Sequence, residues 1–137
     1  MSRQLRWISK SLALAVHDRL MWEHGGATGT RDDGALEAAL SAPRNHASYA
    51  NRDVFTLAAV YAHAVTRNHP FADGNKRVAF TLAAVFLQWN GFRLEAPEQE
   101  AVTMMQALSD RSIGFEDYAL WLRNASKKIQ PGKGSGR

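Results

Sequence analysis

The sequence predicts an all-α protein: one compact helical bundle in which two buried central helices flank a polar loop. Three observations predict it. Apolar residues recur at helical spacing along most of the chain. Two segments, DVFTLAAVYAHAVTRN and RVAFTLAAVFLQWNG, are apolar on nearly every side, as helices in the middle of a small bundle are. The separators are short and polar, with no internal repeat and no interdomain linker.

The elements follow in order. In residues 9–26, Leu12, Val16 and Leu20 form a stripe four residues apart, with Ser9 or Ser11 as start cap and Gly25–Gly26 as stop. ATGTRDDG is turn-rich. GALEAALSA reads as a short helix capped by Asp32 or Asp33 and ending before Pro43, because the residue before proline is pushed out of the helical region. PRNHASYANRD reads as irregular. The first central helix starts near Asn51 or Asp53, and the second ends at Asn90–Gly91. FRLEAP is a very short strand or a turn. Two amphipathic helices close the bundle, one placing Ala101, Met104, Met105 and Leu108 on a face, the other Phe115, Tyr118, Ala119 and Leu122.

Composition narrows the function. The chain has 137 residues, is 45% hydrophobic and has no cysteine, which fits one domain with a real core and excludes disulfide and thiolate chemistry. The net charge is +4, but Lys127, Lys128, Lys133 and Arg137 lie in the acid-free end SKKIQPGKGSGR. Without them the body is near neutrality, so direct nucleic-acid binding by the body is not expected. Residues 1–126 read as the domain and 127–137 as a basic, disordered tail. No signal peptide is visible, and the apolar run Val78–Leu87 is too short to span a bilayer. A cytoplasmic, soluble protein with no membrane partner is expected.

The chemistry concentrates in HPFADGNKR, His69 to Arg77, between the two central helices. Pro70 stops the first helix, and Gly74 permits dihedrals that other residues resist. Asn75, Lys76 and Arg77 open the second helix, whose free N–H groups make an anion site. Two cations at a helix start oppose the dipole, so an anionic ligand such as a polyphosphate fits them. Asp73 can hold Mg²⁺ against phosphates or cap the helix. Histidine is the side chain that exchanges a proton most readily near neutral pH, so His69 suits a general base toward a hydroxyl. Taken together these groups point to phosphoryl or nucleotidyl transfer.

The nonapeptide resembles the signature of the Fic superfamily, in its Doc (death-on-curing) toxin branch, at eight of nine positions. HDRLMWEHGG with GTRDDGALEAALSAP, and FLQWNGFRL with the closing helices, extend the resemblance over residues 5–126. It implies a Fic-like bundle, with His69 as catalytic base, Asp73 as Mg²⁺ ligand, Gly74 and Asn75 as anion-hole residues and Arg77 as a phosphate-binding arginine. Lys76 stands where AMP-transferring Fic proteins have glycine. Its side chain is expected to narrow the anion hole, so that ATP binds reversed and presents its γ-phosphate.

The resemblance therefore implies a Doc-type kinase toxin of a type II toxin–antitoxin system, using ATP and Mg²⁺ to phosphorylate elongation factor Tu. Its partner would be a Phd-type antitoxin. AMP transfer is the first alternative and a non-catalytic, antitoxin-bound co-repressor the second. Gly74 replaces an alanine of some Doc proteins, which implies a roomier hole. SIGFED, Ser112 to Asp117, does not match the inhibitory helix of some Fic proteins, so inhibition would come from a separate chain. Outside the motif, His17, His24 and His46 lack ligand spacing, and no transition-metal site is expected. His63 reads as a core histidine with a satisfied partner. Arg31 and Asp32 read as a buried loop-fixing ion pair, Arg67 as a nucleotide or target contact, and Met104, Met105 and the tryptophans as core filling.

Overall fold

The computed structural model describes residues 4–130. Its helices are α1 (Lys10–His24), α2 (Asp33–Tyr49), α3 (Val54–Asn68), α4 (Asn75–Trp89), α5 (Glu98–Ser109) and α6 (Phe115–Asn124). Two short strands, β1 (Phe92–Leu94) and β2 (Ser126–Lys128), pair antiparallel.

Helix α3 is the hub and buries ten of its fifteen residues. Helices α2, α4 and α6 pack around it, as a helix apolar on most sides requires. The Asp53 carboxylate caps it, accepting from the Thr56 N–H at 2.8 Å. Helix α4 returns along α3 but is less enclosed. It buries the stripe Val78, Ala79, Leu82, Ala83, Phe86 and Leu87, while Phe80 and Val85 stay half-buried because only α1, α5 and β1 flank its other side.

Three expectations are corrected. Helix α2 does not stop before Pro43 but runs through it to Tyr49, so most of the stretch read as irregular is helical. An interior proline costs about 3 kcal/mol. Here Leu36, Ala39, Leu40 and Pro43 form one buried stripe against α3, and that packing outweighs the local penalty. In α1 the buried line is Ala13, His17 and Met21, one position round from the expected Leu12, Val16 and Leu20, which are half-buried. The face turned inward is chosen by a small residue and a polar contact rather than by the largest side chains. Lys127 and Lys128, expected in the tail, belong to β2, whose main chain pairs with β1. The remainder of that tail, 131–137, lies outside the described residues.

The tryptophans also divide. Trp121 is buried and Trp7 lies under the Arg44 guanidinium at 5.0 Å, but Trp22 is 81% exposed and Trp89 40% exposed. His63 is half-buried against Phe115 and its ring makes no hydrogen bond among the described residues, so the expected partner is missing. Burial holds its imidazole below its ordinary value, with the Arg67 charge adding to the effect.

The N-terminal segment is tied down by a buried amide. Asn90 Oδ1 accepts from the Arg6 N–H at 2.9 Å, and its Nδ2 donates to the carbonyls of Arg6 at 3.0 Å and Phe86 at 2.8 Å. Asn90→Ala would strand these backbone groups. A loss of about 1–3 kcal/mol is expected, read as a lowered midpoint in urea unfolding.

Candidate active site

The motif loop occupies the six residues between α3 and α4. His69 ends α3 in the left-handed region, φ 47° and ψ 57°, with its N–H on the Val65 carbonyl. A non-glycine residue there costs about 1–2 kcal/mol. Pro70 and Phe71 turn inward and are buried, whereas His69 and Asp73 are exposed. Gly74 then takes φ 78° and opens α4.

Phe71 is held from every side. Asn75 Oδ1 accepts from its N–H and Asn75 Nδ2 donates to its carbonyl, both at 3.0 Å. The His17 ring stacks on the Phe71 ring, centroids 4.0 Å apart and planes 8° from parallel. His17 Nε2 also lies 2.9 Å from the Asp73 carbonyl, so it carries the proton and donates. Sequence reasoning passed over His17. The available signal was a histidine four residues before Met21 on one helical face, a polar group in a line that must be buried.

Met21 settles the question of the roomier hole. A Cβ on Gly74 would run into the Met21 methyl. The space freed by glycine is therefore filled by Met21, not left for ligand.

The segment after α1 pairs with the motif. The N–H groups of Arg31 and Asp32 donate to the Pro70 carbonyl at 2.7 and 3.1 Å, and the Ala72 N–H to the Gly29 carbonyl at 3.2 Å. The expected Arg31–Asp32 ion pair does not form. Arg31 is exposed and donates to the carbonyls of Asn68 at 2.8 Å and His69 at 2.7 Å, while Asp32 caps α2 through the Ala35 N–H. Both arrangements answer orphan backbone groups at helix ends. Arg67 does likewise. It donates to the carbonyls of Leu108 and Ser109 at the end of α5, a structural role that the sequence reading did not include.

At the exit of the loop, the N–H groups of Asn75, Lys76 and Arg77 have no protein partner among the described residues, and Val78 is the first residue to bond back, to Gly74. Free donors at the positive end of a 15-residue helix are the kind of group that an anion can meet. The side chain of Asn75 is engaged by Phe71 at both ends of its amide, with one of its two N–H donors used. Asp73 does not cap α4. Its Oδ1 accepts from the Gly74 N–H at 2.8 Å and its Oδ2 from the Ala27 N–H at 3.3 Å, which leaves lone pairs on an exposed carboxylate beside the start of α4. One carboxylate next to phosphate positions suits Mg²⁺, which takes most of its shell from phosphate and water. Lys76 Nζ donates to Gln106 Oε1 on α5 at 3.0 Å, so its ammonium is committed to α5 instead of simply filling the hole. Arg77 stands beside it, and both line a groove of about 520 Å³ floored by Phe80, Ala101 and Met105.

The family model described as Fic/DOC family matches residues 7–87, from before α1 to the last turns of α4, and includes the whole motif. The chain belongs to the Fic/DOC family. Among curated relatives, it is 33% identical over 111 residues to "Protein kinase doc" of Escherichia phage P1, covering 80% of this chain and 88% of that protein. It is 31% identical over 112 residues to "Toxin Doc" of Mycolicibacterium smegmatis, covering 79% of this chain and 86% of that protein. The all-α bundle expected from the sequence is thus the Fic/DOC bundle, with α3, α4 and the loop between them inside the matched region.

Both ends of the loop can be tested by substitution. His69→Gly removes left-handed strain, so the folded state is expected to hold or gain up to about 1 kcal/mol by calorimetry even as any His69-dependent chemistry disappears. A lowered melting temperature would show that the turn does not strain His69. Gly74→Ala is expected to cost about 1–2 kcal/mol from its positive φ, and more from Met21. Introducing Met21→Ala both alone and together with Gly74→Ala should shrink the Gly74→Ala penalty, as a double-mutant cycle in denaturant would report.

Proposed function

We propose that this Fic/DOC protein is a Doc-type toxin that transfers the γ-phosphate of ATP to a hydroxyl of a translation factor, elongation factor Tu by resemblance. In this reading it acts in the cytoplasm, and a Phd-type antitoxin restrains it. The observation that carries the reading is the loop itself. One six-residue turn has an exposed histidine at its entry and, at its exit, three N–H groups without a protein partner among the described residues, with Arg77 lining the groove beside α5. The names of the two relatives, a protein kinase and a toxin, agree with it.

In the reaction, His69 takes the proton of the target hydroxyl as its oxygen bonds the γ-phosphorus. The bond from that phosphorus to the β-phosphate oxygen breaks, and ADP departs. The N–H groups of Asn75, Lys76 and Arg77, with the Arg77 guanidinium, stabilise charge on the phosphate chain. Asp73 would hold Mg²⁺, which supplies further charge neutralisation when bound. Asn75 contributes through its backbone, while its side chain keeps the loop in shape.

AMP transfer is the second reading because of Lys76. Its bond to Gln106 means that bulk in the anion hole does not by itself select the γ-phosphate. Intact mass of elongation factor Tu after incubation with protein, Mg²⁺ and ATP separates the two. A gain of one phosphoryl group, reduced about a hundredfold or more in rate by His69→Ala, is expected. A gain of one AMP moves the protein to the second reading. An unchanged mass removes elongation factor Tu as the target.

A further inference from the structure

The end of α5 is built around Lys76. Gln106 presents its carbonyl oxygen to the Lys76 ammonium at 3.0 Å. Four residues on, Asp110 accepts from the Ser112 N–H at 3.0 Å and from the Ser112 hydroxyl, and these bonds hold its carboxyl below the usual range, with the nearby Lys76 charge adding to the effect. The same turn is fastened to α3 by Arg67, which donates to the carbonyls of Leu108 and Ser109. Arg67 lies two residues before His69 in the chain, so the helix that carries the proposed base also sets the position of Gln106.

This arrangement opposes the local electrostatics of α4. A cation on the first turn of a helix is repelled by the dipole, and nothing in the motif itself holds it there. Gln106 does so from outside the motif. An ammonium has three donors, so the bond to Gln106 leaves two for a phosphate chain lying along the N–H groups.

We infer that Gln106 is a positioning residue that fixes the Lys76 ammonium on the α5 side of the phosphate site and thereby decides which phosphate of the nucleotide faces the acceptor. The inference rests on the proposed nucleotide-dependent transfer. Without Gln106 the lysine is free to follow the phosphates in several poses. ATP still binds, but fewer bound molecules present the γ-phosphate productively.

The test is a cycle of wild type, Gln106→Met, Lys76→Met and the double variant. Gln106 is exposed, so the substitutions leave the fold intact, which circular dichroism checks. Two quantities are read: kcat and KM for ATP with the product mass on the target, and Mg·ATP affinity by calorimetry. For Gln106→Met, kcat is expected to fall about tenfold, the size of one charge-assisted hydrogen bond, with KM moving less than about threefold. A minor AMP product on the target is expected alongside. In the Lys76→Met background the same change should do nothing. An unchanged kcat and product, or an equal effect with and without Lys76, overturns the inference. A wild type that binds Mg·ATP but transfers nothing overturns the proposed reaction instead. The ³¹P spectrum of bound Mg·ATP then decides, and spectra identical in wild type and Gln106→Met sink the positioning role. A wild type that binds no nucleotide sinks both.

Discussion

The clamp on Phe71 is the constraint from which the rest of the site follows. A loop of six residues between two packed helices has to satisfy its own backbone while burying one aromatic ring. Asn75 answers both polar groups of Phe71 with a single amide, and His17 covers the ring face and takes the Asp73 carbonyl. The rest of the turn is satisfied by the segment after α1, and the first N–H groups of α4, as at any helix start, are left without protein partners among the described residues. An unpaired donor is costly when buried and useful when aimed at an anion. The clamp therefore fixes the turn from which those N–H groups are presented.

The polar loop also explains the apolar helices around it. Helix α3 can end in a strained histidine only because its final carbonyls are covered by Arg31 and its body is enclosed by three other helices. Strain of about one or two kcal/mol persists where the surroundings over-determine it. Arg31, read from the sequence as an ion-pair partner, and Arg67, read as a ligand contact, both act as braces. Arg31 covers the end of α3, and Arg67 covers the end of α5. Orphan carbonyls at helix ends attract cations as surely as phosphates do, and nothing in a linear sequence separates the two uses.

The packing of α1 on the motif shows how far local reasoning reaches. Gly74 is needed for its positive φ, which the turn announces by itself. A Cβ there would also meet the end of the Met21 side chain, which would have to shift, and that is invisible until α1 is packed on the loop. Pro43 is the same lesson in reverse. Its local signal to stop a helix is real, yet a buried stripe along α2 keeps the helix going to Tyr49.

Legible in the linear chain were the helical class, the central place of α3, its cap as Asn51 or Asp53 and that of α1 as Ser9 or Ser11, and the stretch of the motif loop. These follow from periodicity, capping chemistry and a contiguous nonapeptide, all of which act over a few residues. Packing alone fixed what lies around the loop: His17 under Phe71, Met21 in the space of Gly74, Arg31 and Arg67 on helix ends, Gln106 on Lys76, and β2 beside β1. These contacts join positions between 30 and 56 residues apart, as with Lys76 to Gln106 and His17 to Asp73. They depend on which helix faces which, and a sequence states helix faces only as far as large apolar side chains mark them. In α1 the marking failed, because a small alanine and a hydrogen-bonding histidine, rather than the leucines, face inward.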